Sequence, residues 1–228
     1  KLLLAKDSLR YVPRGYNFIN VNHSYLNTFL SDKPVLLLFS GPSASHNMDW
    51  VVKNRDKFIL VTALSTCRLL NIHNLTPDVV MHIDPGAEGT ARLFQDIDVK
   101  TFFKQTLCIF SSNVDEVTVN KFKKNKIFFI QAGTSYKKDF GTFSSLSVGE
   151  YTYAMFLIFG AYKMFLLGLD QALDSETLKS HSDFHQFAQQ GEVDENKASL
   201  SYLTSVEYTK GNFLDTVPTK AVYKLAIK

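Results

Sequence analysis

Cysteine is scarce. The 228 residues hold two, Cys67 and Cys108, and no CxxC pair. That argues against a disulfide framework and against a cysteine-based zinc site, and leaves both residues as reduced thiols of a cytoplasmic protein. Charge of one sign is lacking too: 25 Lys and Arg face 22 Asp and Glu, for a net of +3. The basic residues are scattered, with no stripe interleaved with aromatics, so nucleic acid is not the expected partner. The small positive excess suits a small anionic ligand. Long apolar runs are nearly absent as well. The nearest is YTYAMFLIFGAYKMFLLGL, residues 151–169, which approaches spanning length. Gly160 divides it, Lys163 charges it and Asp170 follows at once. A buried helix running into a buried strand explains it better than a membrane span. The chain starts at Lys1 and not at Met, so the lack of a leader is only partly informative.

Several catalytic signatures are also missing. There is no Walker A sequence, no GxGxxG, no GxSxG elbow and no Cys/His protease pattern, which sets nucleophilic hydrolysis aside. HSDFH, residues 181–185, lacks the glutamate of HExxH and no third ligand accompanies it, so no metal site is expected there.

What the chain does have is a 45% apolar content arranged in short runs. These are Val35–Ser40, Phe58–Thr62, Val79–Ile83, Leu107–Phe110, Ile127–Ile130 and Met164–Leu167. Each is mostly apolar and not alternating, the pattern of strands buried on both faces of a parallel sheet. Helical candidates lie between them: Met48–Asp56, Ser65–Ile72, Ala87–Gln95, Val114–Lys124 and Val148–Gly160, the last stopped by Gly160. The order predicts an α/β fold, a Rossmann-like doubly wound and mainly parallel sheet with right-handed crossovers. Three stretches are expected: a lead-in segment (1–33) that looks separate from the core and carries a short helix at His23–Leu30, a nucleotide-binding core (34–173), and a lid-like loop with the completion of the same domain (174–228). Residues 174–201 are polar and read as a mobile excursion, either a lid or a plain solvated loop.

In open α/β sheets ligands sit beyond the carboxyl ends of the strands, and four polar clusters fall there. In LLLFSGPSAS, residues 36–45, Gly41 admits close approach to the backbone, Pro42 stiffens the turn, and Ser43 and Ser45 offer hydroxyls. The following helix offers amides to an anion; a turn with a serine cap explains the same residues. TALST, residues 62–66, follows the second run and includes Thr62; helix capping is its plainer reading. TPDVVMHIDP, residues 76–85, places Asp78 and Asp84 at opposite ends of one strand, with Asp84 at the ligand edge and a turn before Pro85 as its plainer role. GTFSSLSVGE, residues 141–150, puts Ser147 near a helix start, and FLLGLDQALD ends a strand at Asp170. His181 and His185 follow at i, i+4. A histidine titrates near neutrality and suits a general base; surface histidines in a loop are the alternative.

The order and spacing of LLLFSGPSAS, LTPDVVMHIDP and SVGEYTYAMFLIFGAYKMFLLGLDQAL resemble the central domain of the motility accessory factors (Maf), a family of flagellin glycosyltransferases. The same domain family includes archaeal 6-hydroxymethylpterin pyrophosphokinases. The resemblance covers residues 34–185, and a more distant likeness extends to bacterial sialyltransferases that use CMP-sialic acid. It implies a glycosyltransferase that moves a nonulosonic, sialic-acid-like sugar from a CMP-activated donor to a hydroxyl of a protein or glycan, a flagellin Ser or Thr among the candidates. By position, Gly41, Pro42 and Ser43 would meet the phosphate and ribose, Thr62 and Asp84 the nucleotide or sugar, Ser147 the sugar carboxylate, and Asp170 the cytidine or ribose. His185 or His181 would take the acceptor's proton. No cofactor is obligatory on this reading. The sequence departs from the family at Ala44, where a leucine is usual, and at Gln171 and Ala172, where the sialyltransferases place a tyrosine. Tyr202 or Tyr208 would then have to supply a hydroxyl to the leaving phosphate. Two other readings remain: a pterin-alcohol diphosphokinase using ATP and Mg²⁺ with Asp84 and Asp170 as metal carboxylates, and a non-catalytic nucleotide- or carbohydrate-binding module.

Overall fold

A computed structural model describes residues 9–23, 30, 32–86, 89–145, 147–183, 185 and 206–226. Seven strands form one parallel sheet. They are β1 (Asn17–Phe18), β2 (Val35–Leu38), β3 (Ile59–Ala63), β4 (Val79–His82), β5 (Leu107–Ser111), β6 (Ile127–Ile130) and β7 (Met164–Leu167). Their spatial order is β1-β6-β5-β4-β3-β2-β7, and every pairing is parallel. The α/β Rossmann-like fold follows as expected. A two-stranded antiparallel hairpin, β8 (Val206–Thr209) and β9 (Val217–Lys220), stands beside it.

Successive side chains of a strand point to opposite faces, and here both faces are buried. Leu36 and Leu38 join Leu60, Val80, Cys108 and Phe110 on one face, while Val35 and Leu37 join Val61, Met81 and Ile109 on the other. The run from β2 to β6 steps in one direction across the sheet. Right-handed crossovers therefore place its helices on a single face, where Met48, Val51, Leu69, Leu70 and Phe102 pack. The chain then returns from β6 across the whole sheet to β7. The connecting helix Val148–Ile158 covers the opposite face with Tyr151, Met155 and Phe156. Gly160 follows with φ of 79° and ends the helix in the left-handed region.

Three expectations need correction. The helices between strands are shorter than predicted: Pro42–His46 and Met48–Lys53 replace Met48–Asp56, and Glu116–Val119 replaces Val114–Lys124. Asn and turn-forming residues interrupt the apolar spacing there. β7 is not buried on both faces, since it is the edge strand and leaves Phe165 and Leu166 half exposed. The lead-in stretch also does not stand apart. Residues 17–18 pair with β6 at the far edge. Tyr11 is fully buried, stacks on Phe129 at 4.2 Å between ring centroids, and donates its hydroxyl to the Val114 carbonyl. Part of the helix expected over His23–Leu30 lies outside the described residues. Among the described residues, no helix is long and apolar enough to cross a membrane.

Tyr11→Ala is expected to lower the unfolding free energy by about 3–5 kcal/mol, as removal of a large buried aromatic does. Equilibrium urea denaturation measures this. A loss of under about 1 kcal/mol would show the lead-in stretch to be peripheral.

Candidate functional site

The chain runs from β2 to one side of the sheet and arrives at β7 on the other side of β2. The crevice outside the carboxyl ends of these two neighbours is the topological switch point, where open α/β sheets bind ligands. The backbone ladder continues past both strand ends: the Phe39 amide donates to the Leu167 carbonyl and the Gly41 amide to the Gly168 carbonyl, each at 2.8 Å.

Side chains then lock the two loops together. The Ser43 amide donates to Asp170 Oδ2 at 2.8 Å and the Ser43 hydroxyl to Oδ1 at 2.5 Å. The same hydroxyl accepts from the Gly168 amide at 3.0 Å. Both loops must pass very close. A Cβ on Gly41 would sit 2.6 Å from both Asp170 Oδ2 and the Gly168 carbonyl oxygen. Gly168 itself has φ of 71°, and a Cβ there would lie 2.2 Å from the Phe39 carbonyl oxygen. Glycine at both positions is thus a steric requirement of the junction. Gln171 follows with φ of 50°, an uncommon left-handed conformation for a residue with a side chain. Its carbonyl accepts from Thr219 Oγ1 at 2.6 Å, which fixes the turn against β9.

Above this junction lies a cavity of about 140 Å³. Its lining includes Gly41, Asp170, Ser147, Gly149, His181, His185 and Tyr223. Ser147 is the N-cap of the 11-residue helix Val148–Ile158, accepting from the Glu150 amide at 3.3 Å. The N-terminal end of that helix therefore faces the cavity, with the partial positive charge of its first turn. The segment carrying the histidines is pinned to the end of β2, since the Ser182 amide donates to the Ser40 carbonyl at 2.7 Å. Residues 174–183 are held by a turn in which Asp174 accepts from the Glu176 and Thr177 amides.

The imidazoles of His181 and His185 stack, with centroids 3.9 Å apart and planes 26° from parallel. Burial pulls His185 down to about 3, with His181 beside it adding to the shift. Burial pulls His181 down to about 4, with the nearby Lys220 ammonium contributing. Both rings are therefore neutral at pH 7 and, as they stand, weak bases. Lys220 donates to Ser180 Oγ at 3.2 Å, and burial lowers its own pKa.

The structure brings Gly41, Ser147, Asp170, His181 and His185 together at this cavity. Ser43 and Pro42 do not line it. Ser43 is bonded to Asp170, so the amide expected to meet an anion already has a carboxylate partner. Thr62 and Asp84 are elsewhere. Thr62 is fully buried within β3, where its hydroxyl donates to the Leu38 carbonyl at 2.6 Å. Asp84 is exposed beyond β4, two strands away from β2. From the TALST cluster it is Ser65 that reaches the cavity. Asp78 is structural, accepting from the Leu60 amide and pairing with Arg55 at 2.9 Å. Tyr202 lies outside the described residues, and Tyr208 sits exposed on β8. The tyrosine at the cavity is Tyr223, from the terminal helix Ala221–Ala226. Its distance along the chain from every motif hid it, and the single stretch Lys220-Ala221-Val222-Tyr223 carries no motif that would have found it.

A family model described as 6-hydroxymethylpterin diphosphokinase MptE-like matches residues 10–176. The chain belongs to this MptE-like family. No match was found among the curated proteins compared. Among solved structures, a Maf glycosyltransferase from Magnetospirillum magneticum AMB-1 superposes with a TM-score of 0.68 at 17% identity. The match covers 92% of this chain and 30% of that one. The chain thus has the fold of one part of a longer Maf protein, and both relationships expected from the motifs are found.

Two outcomes test the site's physics. Asp170→Ala leaves the Ser43 amide and hydroxyl without their carboxylate and should cost about 2–3 kcal/mol of stability, read by urea denaturation. A cost within about 0.5 kcal/mol would place that carboxylate outside the fold's support. The second concerns pH. Below 6.5 the unfolded chain protonates its histidines, while folded His181 resists until about 4 and His185 until about 3. The unfolded state then binds more protons, so stability falls as pH drops from 6.5 toward 4. Buried His82 adds to the same slope. The His181→Gln/His185→Gln double variant should flatten the slope, and an unchanged slope would contradict the neutral buried pair.

Proposed function

We propose that this chain is the donor-binding domain of a glycosyltransferase that moves a nonulosonic sugar from a CMP-activated donor to a hydroxyl acceptor, a flagellin Ser or Thr among them. The observation that carries the proposal is the juxtaposition of a neutral imidazole pair with a helix N-terminus across one cavity at the switch point. The helix end suits the donor's phosphate or carboxylate. An unprotonated ring nitrogen can take the proton that the acceptor hydroxyl must lose, and the donor's negative charge beside the pair raises its basicity for that step. The cavity's 140 Å³ is smaller than the roughly 300–1,000 Å³ of typical ligand pockets. It holds one part of a nucleotide sugar and leaves the rest in the open cleft.

On this reading the acceptor oxygen attacks the anomeric carbon as the bond from that carbon to the phosphate oxygen breaks. The electron pair leaves with CMP, and the acceptor's proton passes to an imidazole. His181, partly exposed where His185 is buried, receives the proton; His185 holds the ring in place by stacking. Gly41 and the Ser147–Gly149 turn position the donor, and Tyr223 offers a hydroxyl at the same cavity. CMP departs as a stable anion, so the step needs no metal.

The family's name favours a second reading, ATP-dependent diphosphorylation of a pterin alcohol. The residues fit its Mg²⁺ poorly. Asp170 has both oxygens bonded by Ser43, and Asp84 stands apart. Among the described residues, no group of three or more His, Cys, Asp or Glu side chains could hold a metal ion.

Thermal unfolding with nucleotides separates the two. CMP should raise the unfolding temperature equally with and without Mg²⁺, by mass action on the folded state. His181→Gln should then keep this shift and reduce transfer by about 10²–10⁴-fold. A shift given by ATP with Mg²⁺ and not by CMP would replace sugar transfer with phosphoryl transfer. CMP protection without turnover of any donor would leave a binding module.

A further inference from the structure

The positive charge that is scattered along the sequence is gathered by the fold. At the amino ends of β5 and β6 a small cavity of about 50 Å³ is lined by Lys100, Lys104, Lys121, Lys123 and Lys126. Its floor is apolar: Phe103 is buried, and Phe122 packs half-buried against the same core cluster. No aspartate or glutamate lines it. Five of the chain's 25 basic residues thus line one small cavity.

The lysines come from two places that the sheet brings side by side. Lys100 and Lys104 belong to the helix Val99–Phe102 and the turn that leads into β5. Lys121, Lys123 and Lys126 belong to the turn that leads into β6. β5 and β6 are neighbours in parallel register, with Cys108 opposite Ile127, so both lead-ins open on the same end of the sheet. None of the five lysines has an ion-pair partner among the described residues. Lys121 contacts the ring of Phe94 at 5.5 Å. Five like charges round one cavity repel each other, and an anion with several charges relieves that repulsion.

The side-chain chemistry narrows the anion. No arginine lines the cavity, so the planar two-pronged recognition that favours carboxylates is missing. Lysine ammonium groups act as point charges and bind phosphate without a fixed orientation. The cavity is too small for a nucleoside. It admits one phosphate-sized group, with exposed Lys100, Lys104, Lys121 and Lys123 left to neutralise its neighbours. We propose that this lysine-lined cavity is a second binding site, distinct from the cleft at the carboxyl ends of β2 and β7, for ligands that carry clustered phosphate groups. Free oligophosphate and the headgroup of a multiply phosphorylated lipid share that chemistry. The site lies at the opposite end of the strands from the cleft, so it stands or falls independently of the sugar-transfer reading.

Calorimetric titration of the full chain with tripolyphosphate at about 0.15 M salt, where diffuse surface attraction is largely screened, tests this. Saturable one-to-one binding is expected. Lys104→Glu/Lys121→Glu/Lys123→Glu should weaken it by at least about tenfold, whereas Lys53→Glu/Lys57→Glu/Lys163→Glu, with the same charge change elsewhere, should weaken it by less than about threefold. Thermal unfolding of both variants confirms that they fold. Co-sedimentation with phosphatidylcholine vesicles, with and without a phosphorylated phosphatidylinositol, identifies the source. Vesicle binding that follows the same variant pattern and is displaced by tripolyphosphate assigns the lipid headgroup; tripolyphosphate binding alone assigns the free anion. Equal weakening by the two triple variants, or no saturable binding to either probe, would overturn the proposal.

Discussion

The bond pair between Ser43 and Asp170 is the constraint on which the rest of the site depends. β2 and β7 are neighbours in space and lie at opposite ends of the core in sequence. Their ladder ends at Gly41 and Gly168, and beyond it two loops diverge. Asp170 reaches back across that divergence, receives the amide and hydroxyl of Ser43, and holds the mouth of the crevice at one width. Two glycines are required because the backbones nearly touch. The Gly-Pro-Ser corner is therefore first a mechanical joint. What it offers a ligand is the part of the lining that the joint creates.

The position of the crevice follows from handedness. Crossovers from β2 to β6 all turn the same way, so their helices occupy one face. The single return to β7 puts Val148–Ile158 on the other face with its N-terminus at the switch point. The long return path thus delivers a helix end, a capped Ser147 and then the histidine segment to one place. The two ends of the sheet differ in electrostatics. At the carboxyl ends the basic groups are kept neutral or half-buried: two imidazoles held low by burial, and Lys220 tucked against Ser180. At the amino ends five lysines line one cavity, none of them in a salt bridge among the described residues.

The strands were legible because β2 to β6 are buried on both faces, and continuous apolar runs report that condition directly. The same rule misjudged β7: its run is as apolar as the others, but it is an edge, and edge position is a property of the whole sheet. β1 is two residues long and carries no periodicity. It became visible only through its register with β6 and through Tyr11 on Phe129. In the site, glycine and serine at a strand end pointed to the crevice, as did Ser147, Asp170 and the two histidines. Thr62 did not reach it, because a hydroxyl inside β3 found a carbonyl of β2. Asp84 did not, because the sheet order sets β4 two strands from β2. Tyr223 and Lys220 were hidden for the opposite reason: they are distant in sequence and are docked by the bond from Thr219 to the Gln171 carbonyl.

Amide hydrogen exchange across the chain, with and without saturating CMP, tests the central claim most directly. The claim is that the crevice held by Ser43 and Asp170 is where the donor nucleotide binds. The account predicts slowed exchange at residues 40–43, 147–150, 168–172 and 180–182, with the amino ends of β5 and β6 unchanged. Protection centred on residues 83–86 beyond β4, or no protection in any of the crevice segments, would contradict it.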